Sequence, residues 1–511
     1  MAFRKFKFVE EFIDPKTGQP YENPGSPKRK LTKYFGWKQL HQIAKIVYQR
    51  KVTMKPTVTI DEKTGKTVKG PEEKVVTYDE IMGDKGGWIE RMDNLAQGGD
   101  CWVSEGAVVC EEAFVSGDAQ ISGSAEIGGH AKVGGKAKVY EEGSASEGAY
   151  IFGNAKVHGG ERMTAVMGLA RVEGEVGGEA MVLGNAKVGP AGQVLGKSVA
   201  RGFSQIYGKV DGKSAVSGNA IVYGEVKGES SVSGDAIIME EAVVSGKSAV
   251  GDLAIIYGRV AGESSVMGNC RVGEDGTVQK AASNGNSEID GTIIEAKVSG
   301  NSHVLKKASV GKDSSLDGNA TVSASVGKEC SVIDNGRVNG NMDQSKVSGN
   351  GEVASNGNIS KSEIKGNTTI GGSFEKSTSK GGSILTASSM DSTIEGCALV
   401  EGSLVKATVK EAPYVGGGVK NGKVEGSAVV TQSGGVDGGS AKGNAKVNAK
   451  ASASVADNAG LAVDSSKAAS GNSVQLFAES TSENEVCIEK PEGAGSRDPK
   501  GAAVLCKVEP E

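Results

Sequence analysis

The chain has 511 residues, of which 77 are glycine and only 5% are aromatic, and its formal net charge is −5. So few large side chains exclude a thick globular core of ordinary composition. Abundant glycine and serine leave either an extended repeat or a disordered chain, and periodicity has to distinguish them.

The charge is unevenly distributed along the chain. Residues 1–56 contain 13 Lys and Arg against 4 Asp and Glu, a balance of +9, which leaves −14 for the rest. A basic start on an acidic body predicts a solvated docking segment. Nucleic acid is a less favoured partner, and other structural proteins of an assembly are expected to bind here.

The start of the chain and its cysteines bear on location. MAFRKFKFVEEF lacks the apolar run of a secretory signal, and no stretch of sequence is long enough to span a membrane. The seven cysteines have no disulfide or zinc spacing, which fits a reducing cytoplasm. We therefore expect cytoplasmic synthesis.

Residues 1–95 differ from the remainder and predict a small α+β head. The stretch YFGWKQLHQIAKIVYQRK at 34–51 has a helix-compatible amphipathic pattern, and TIDEKTGKTVKG at 59–70 indicates a hairpin. Because the open end of a repeat array needs a cover, the head is expected to cap it and attach it. The candidate attachment residues are Trp37, Tyr34, Arg50 and Lys51.

The head ends in a distinctive junction, GDKGGWIERMDNLAQGGDCWVSEGAVV, at residues 83–109. This string resembles the entry to the repeat array in a family of phage and prophage hexapeptide-repeat proteins, where GGWIE, NL and GDCWV precede V-x-G-x-A units. The resemblance implies a left-handed β-helix and a phage setting, with the virion as a later location. It implies little about activity, because a fold does not fix a function.

A six-residue repeat follows the junction and predicts a parallel β-solenoid from 96 to 345. Units such as VSGDAQ and ISGSAE place one aliphatic residue at a fixed position. Three units would form an 18-residue triangular coil, with the aliphatic residues stacked inside and Gly, Asn or Asp at the turns. The predicted structural core is Val103, Val109, Val115, Ile121, Ile127, Val133, Val139, Ile151 and Val157.

The repeat changes along the chain. Four-residue steps, such as Val172 to Val176 and Val222 to Val226, predict 16-residue coils mixed with 18-residue ones. Residues 346–479 keep a weaker, Gly/Ser-rich pattern that predicts either a continuation of the solenoid or another β region. Residues 480–511 are interpreted as an irregular tail.

Catalytic chemistry has little support in the sequence. Hexapeptide acyltransferases resemble one another in using a histidine base, but His130, His158 and His303 occupy positions expected to face solvent. We therefore predict no catalytic, cofactor-binding or metal-binding residues and no enzyme activity. No aromatic stripe follows the repeat, which disfavours stacking of sugars or bases.

The sequence favours a non-enzymatic structural protein, a phage-related rod that serves as fibre, decoration, spacer or scaffold. Two alternatives remain open. One is an adhesin-like solenoid whose face binds a ligand or host molecule, and the other is a hexapeptide-type acyltransferase. A homo-oligomer is compatible with each of the three.

Overall fold

The computed structural model describes residues 4–21, 29–30, 37–60, 67–160, 163–327 and 329–339, and beyond 340 it describes only the short strands given below. Two compact units divide the chain. The first consists of residues 1–240 with 244–246, and the second of residues 241–243 with 247–511.

The head of the first unit is built on a long antiparallel hairpin, His41–Ile60 with Thr67–Ile89. Strand Phe6–Phe8 adds to its edge antiparallel to Ile43, Ala44 and Lys45. Smaller elements complete the head: the strands Arg29–Lys30 and Trp37–Lys38, which pair with each other, and the 3₁₀ turns Val9–Glu11 and Met92–Asn94.

The helix predicted at 34–51 is wrong over residues 37–51, and the described part of the head is β rather than α+β. Residues 41–51 belong to the first hairpin strand, and no α-helix occurs in the described part of the head. Leu40, Ile43 and Ala44 are buried, and the strand that contains Ile43 and Ala44 pairs with the distant strand Thr67–Ile89. Such long-range pairing overrides a short pattern that fits either structure. The hairpin predicted from residues 59–70 is confirmed.

The junction joins the head to the first coil by close backbone contact. Trp88 and Ile89 pair in parallel with Val108 and Val109, so the end of the hairpin becomes a strand of the solenoid. A Cβ atom on Gly87 would lie 2.3 Å from the Ser104 carbonyl oxygen. The glycine is therefore needed for close approach.

Asn94 fastens the next turn of the junction. Its buried amide donates hydrogen bonds of 2.9 Å to the carbonyls of both Glu111 and Ala113, and its Oδ1 accepts one of 2.7 Å from the Arg91 N–H. A buried amide with several partners of this kind fixes one arrangement of the backbone.

The solenoid of the first unit has three strands in each coil, one on each face. The first face contains Trp102–Val103, Gln120–Ile121, Lys138–Tyr140, Lys156–Gly159, Glu175–Gly178, Gln193–Val194, Lys209–Val210 and Glu225–Val226. The second face contains Val108–Val109, Glu126–Ile127, Gly143–Ala145, Thr164–Val166, Met181–Val182, Val199–Ala200, Ala215–Val216 and Ser231–Val232. The third face contains Phe114–Val115, Lys132–Val133, Tyr150–Ile151, Arg171–Val172, Lys187–Val188, Gln205–Ile206, Ile221–Val222 and Ile237–Ile238.

Each strand pairs in parallel with the strand one coil later, which confirms the predicted β-solenoid. Backbone hydrogen bonds join the coils, for example from the Cys110 N–H to the Ile127 carbonyl at 2.9 Å. All nine aliphatic residues proposed as structural core are fully buried. The small residue before each strand, such as Ala125 or Ala131, is buried at the corner.

The length of the coils varies. On the third face, Lys132 pairs with Tyr150, 18 residues later, Tyr150 with Arg171 after 21, and Arg171 with Lys187 after 16. The 16- and 18-residue coils agree with the sequence pattern, whereas the 21-residue coil, which contains residues 159–163, was not predicted.

The second unit has the same three-stranded coils. One face contains Arg259–Ala261, Thr277–Gln279, Thr292–Ile294, Ser309–Val310, Ser325–Val326, Asn341–Asp343, Asn358–Ser360, Ser373–Glu375, Ser389–Met390, Leu404–Val405, Val419–Lys420, Val436–Asp437, Ala451–Ser454 and Val474–Phe477. Another contains Ala249–Val250, Ser265–Val266, Ala282–Ser283, Lys297–Val298, Ser315–Leu316, Ser331–Val332, Lys346–Ser348, Glu363–Lys365, Thr378–Lys380, Thr393–Glu395, Thr408–Val409, Lys423–Val424 and Ser440–Ala441. The last contains Ile255–Ile256, Arg271–Val272, Glu288–Ile289, His303–Val304, Thr321–Val322, Arg337–Val338, Glu352–Val353, Thr369–Ile370, Ile384–Leu385, Leu399–Val400, Tyr414–Val415, Val429–Val430 and Lys446–Val447.

Parallel pairing in the second unit extends through the Gly/Ser-rich region. Thr369 pairs with Ile384, Ile384 with Leu399 and Leu399 with Tyr414, each 15 residues later. A 15-residue coil has no room for three six-residue steps, which explains why the sequence periodicity weakens there. Two strands outside the coils, Glu485–Val486 and Cys506–Lys507, pair antiparallel, and Val243–Val244 lies at the division between the units.

The junction yields a prediction with a matched control. Gly87→Ala should loosen the first coil, because its new methyl group would overlap the Ser104 and Ala107 carbonyl oxygens. Gly98→Ala should have little effect, since nothing lies within 4 Å of a Cβ atom there. Hydrogen exchange of residues 86–115 should become faster only in Gly87→Ala. Equal protection in the two variants would contradict the close packing of the junction.

Candidate functional site

The candidate attachment residues are only partly described. Tyr34 lies outside the described residues, whereas Trp37 and Arg50 lie on strands without a description of their side chains. Lys51 is exposed on the first strand of the hairpin. The structure therefore places three of the four residues on strands of the head, and their role in attachment remains a proposal.

The histidines of the two solenoid segments are paired with carboxylates on the surface. His130 is 72% exposed at a turn, and its Nδ1 is 2.7 Å from Glu112 Oε2 of the preceding coil. In the second unit, His303 Nδ1 lies 3.2 Å from Glu288 Oε2. Exposed ion pairs of this kind contribute little to stability.

His158 has a richer environment than the other two. Its ring stacks on Tyr140 with the centroids 5.2 Å apart, and its Nε2 is 3.2 Å from Glu175 Oε1. Its Nδ1 is 4.0 Å from Glu141 Oε2. Burial, together with the negative charges of Glu141 and Glu175, raises the pKa of the Tyr140 phenol. The ring stacking and the contact with Glu175 hold the imidazole in one orientation, which is a structural role that needs no substrate.

Metal-binding clusters and membrane-spanning helices are absent from the described residues. These residues contain no group of three or more His, Cys, Asp or Glu side chains that could hold a metal ion. Among the same residues, no helix has the length and apolar character needed to cross a membrane.

A groove of about 850 Å³ lies on the third face of the first unit and is the candidate functional site. Its volume falls within the range typical of ligand sites. We call it the aromatic groove. It is lined by His130, Lys132, Gly148, Tyr150, Phe152, Leu169, Arg171, Asn185, Lys187, Phe203 and Gln205.

The aromatic groove is built from rows of residues on successive coils. The first row contains the outward residues of five consecutive strands, and these are Lys132, Tyr150, Arg171, Lys187 and Gln205. The corner row occupies the turns two residues earlier, with His130, Gly148, Leu169, Asn185 and Phe203. Strand spacing places neighbouring members of a row about 4.8 Å apart.

Large exposed side chains give the groove its shape. Leu169 and Phe203 rise from the corner row and are 64% and 62% exposed. Tyr150 is 42% exposed, and its ring lies 4.7 Å from that of Phe152, centroid to centroid. Gly148 has no side chain, and a Cβ atom there would lie 2.8 Å from Leu169 Cδ2, so the glycine leaves room for the leucine.

Polar contacts organise one end of the groove. Tyr207, which follows strand Gln205–Ile206, donates a hydrogen bond of 2.9 Å to Gln205 Oε1, and Lys187 Nζ lies 3.5 Å from the Tyr207 hydroxyl. The ring of Tyr207 also stacks on Tyr223 of the next coil, with the centroids 5.1 Å apart. These contacts hold Lys187 and Gln205 in place.

The absence of an aromatic stripe along the repeat stays a prediction, but the structure brings three rings to one groove. Tyr150, Phe152 and Phe203 occupy different positions of the six-residue unit, so they form no series in the sequence. The turns bring these positions together on one face. The sequence signal that could have revealed the groove is the presence of Leu169 and Phe203 at turn positions that usually hold small or polar residues.

A pair of substitutions tests the difference between inward and turn positions. Ile127→Ala should cost about 2–5 kcal/mol, because it empties a buried position of the stack. His130→Ala, three residues away, should change stability by less than about 0.5 kcal/mol. Urea unfolding followed by hydrogen exchange of residues 121–139 measures both. A His130→Ala loss as large as that of Ile127→Ala would contradict this assignment.

No protein-family model matches the chain, and no curated protein matches it either. Its function therefore has to be argued from its own residues and their geometry.

Proposed function

We propose that the chain is a non-enzymatic structural protein, a phage-related solenoid that serves as fibre, decoration, spacer or scaffold in an assembly. In this proposal it is synthesised in the cytoplasm, becomes part of the virion and attaches to other structural proteins through its head. The setting rests on the resemblance of residues 83–109. The mode of attachment rests on the geometry of the head.

The observation that carries the proposal is the length of the hairpin. Its strands have 20 and 23 residues, whereas the solenoid strands of the first unit have two to four. Among the described residues, the hairpin joins the coils at one end, where Trp88 and Ile89 pair with the second face. The remainder is therefore available as an arm that can bind a partner.

The arm carries the side chains expected of a contact surface. Val76 and Ile81 on its second strand are 38% and 43% exposed, and Lys51 and Lys74 are exposed as well. Apolar groups provide contact area, and the basic residues of the head add an attraction that weakens with salt. An acidic or mixed surface on a structural protein would complement them.

The solenoid surface of the first unit has a different character. Lys213 pairs with Glu229 at 2.8 Å, and Lys227 with Glu225 at 2.7 Å. Surface lysine and glutamate side chains that neutralise each other favour solubility and provide no strong attachment to a partner. The aromatic groove is the exception, and it favours the ligand-binding solenoid as a second candidate function.

Two substitutions on the arm test attachment. Ile81→Asp and Lys51→Glu should each reduce co-purification of the full-length chain with particles or host components at least about tenfold, because they remove apolar contact or reverse a charge. Lys136→Glu, at an exposed turn of the solenoid, is the matched control and should be recovered like the unaltered chain.

Salt provides an independent readout of the same experiment. Recovery of the unaltered chain should fall as salt increases, and the Lys51→Glu variant should show a weaker dependence. Undiminished recovery of both arm variants, together with a loss in Lys136→Glu, would assign the contact to the solenoid instead.

A further inference from the structure

The aromatic groove contains the two most exposed large apolar side chains of the described residues, Leu169 and Phe203. At the equivalent corner position, the next coils of the first unit carry the turn formers Asn219 and Asp235. Leu169 and Phe203 replace such residues but stay more than half exposed, so they contribute little to the core. A cluster of exposed apolar side chains with polar neighbours marks an interaction site.

The charge of the groove is also unusual. Its lining residues include Lys132, Arg171 and Lys187 but no Asp or Glu. Within the described part of the chain, no carboxylate pairs with Lys132 or Arg171, whereas Lys197, Lys209 and several other lysines of the same unit have acidic partners. Unpaired cations beside exposed rings are complementary to an anionic ligand that also has an apolar face.

The shape of the groove favours an elongated ligand. Its first row spans five strands, which corresponds to about 19 Å at the usual strand spacing. Tyr150 separates the two unpaired cations, Lys132 on the preceding coil and Arg171 on the following one. The ligand should therefore present negative groups at intervals along a chain of apolar-faced rings.

We propose that the aromatic groove binds an acidic oligosaccharide. Sugar rings present C–H groups on one face that pack on Tyr150 and Phe203, while their carboxylates pair with Arg171 and Lys132. The planar guanidinium of Arg171 matches a carboxylate in a bidentate arrangement. Asn185 and Gln205 supply amide groups for the sugar hydroxyls.

A single-stranded nucleic acid would use the same kinds of side chain, but the charge of the chain disfavours it. Residues 57–511 carry a balance of −14, and such binding normally needs a strongly positive groove along the whole backbone. Besides its three cations, the groove presents the amides of Asn185 and Gln205, which can both donate to and accept from sugar hydroxyls, whereas a phosphate only accepts. An acidic oligosaccharide is therefore the favoured occupant.

The test measures binding of the full-length chain to a panel of oligosaccharides by calorimetry. The panel contains oligomers of galacturonate, of glucuronate, of mannuronate with guluronate, and of sialic acid. A neutral glucan oligomer and an oligothymidylate complete it. At least one acidic oligosaccharide should bind, and the neutral glucan should bind at least about tenfold more weakly, because it lacks the carboxylates.

Four variants localise the binding. Arg171→Gln and Phe203→Ala should each weaken it about tenfold or more. The matched controls, Arg201→Gln and Leu253→Ala, alter an exposed arginine and an exposed apolar corner residue outside the groove and should leave it unchanged. Circular dichroism and thermal unfolding should show all four variants folded, since each side chain is exposed.

Several results would overturn the proposal. These are failure of every acidic oligosaccharide to bind, equal binding of the neutral glucan, and binding that is insensitive to Arg171→Gln and Phe203→Ala. Groove-dependent binding of oligothymidylate alone would assign the site to nucleic acid. The arm variants Ile81→Asp and Lys51→Glu should bind the oligosaccharide normally, so failure of attachment and failure of this site are distinguishable.

Discussion

Parallel hydrogen bonding between successive coils is the constraint on which the rest of the molecule depends. Each inward residue has to lie over its counterpart one coil earlier, as Ile127 does over Val109, at the spacing set by the backbone. Side chains at the corners are limited in the same way. Gly218 has a positive φ, and a Cβ atom there would come within 2.6 Å of the Gly234 carbonyl oxygen. The corner of the next coil therefore leaves no room for a side chain at this position.

The same constraint determined how much of the structure could be predicted. Inward positions such as Val133 and Val139 repeat in the sequence because they repeat in space, and so the solenoid was predictable. The head was predicted less well, since the partners of residues 41–60 lie on strand Thr67–Ile89 and local pattern carries no information about them. The 15-residue coils were missed because they abandon the six-residue step.

The candidate site escaped prediction for a related reason. Phe152 and Phe203 occupy different positions of the repeat unit and are 51 residues apart in sequence. They become neighbours of one groove only after the coils between them, of 21, 16 and 18 residues, have brought them to the same face. The signature at the junction, in contrast to the groove, was visible in the sequence. Its residues Gly87 and Asn94 are explained by packing of the first coil, so they carry information about the fold and little about binding.

The variable length of the coils determines how many residues are needed for a given length of stack. Each coil advances the stack by one strand spacing, about 4.8 Å, whether it contains 21 residues or 15. A short coil therefore covers the same distance with less protein, whereas a long coil adds residues that can project from a face. Because each coil contacts only its neighbours, the two kinds can alternate in one gene by insertion or loss of a few codons. The length of the stack and the residues that project from its faces can thus evolve separately in the same polypeptide.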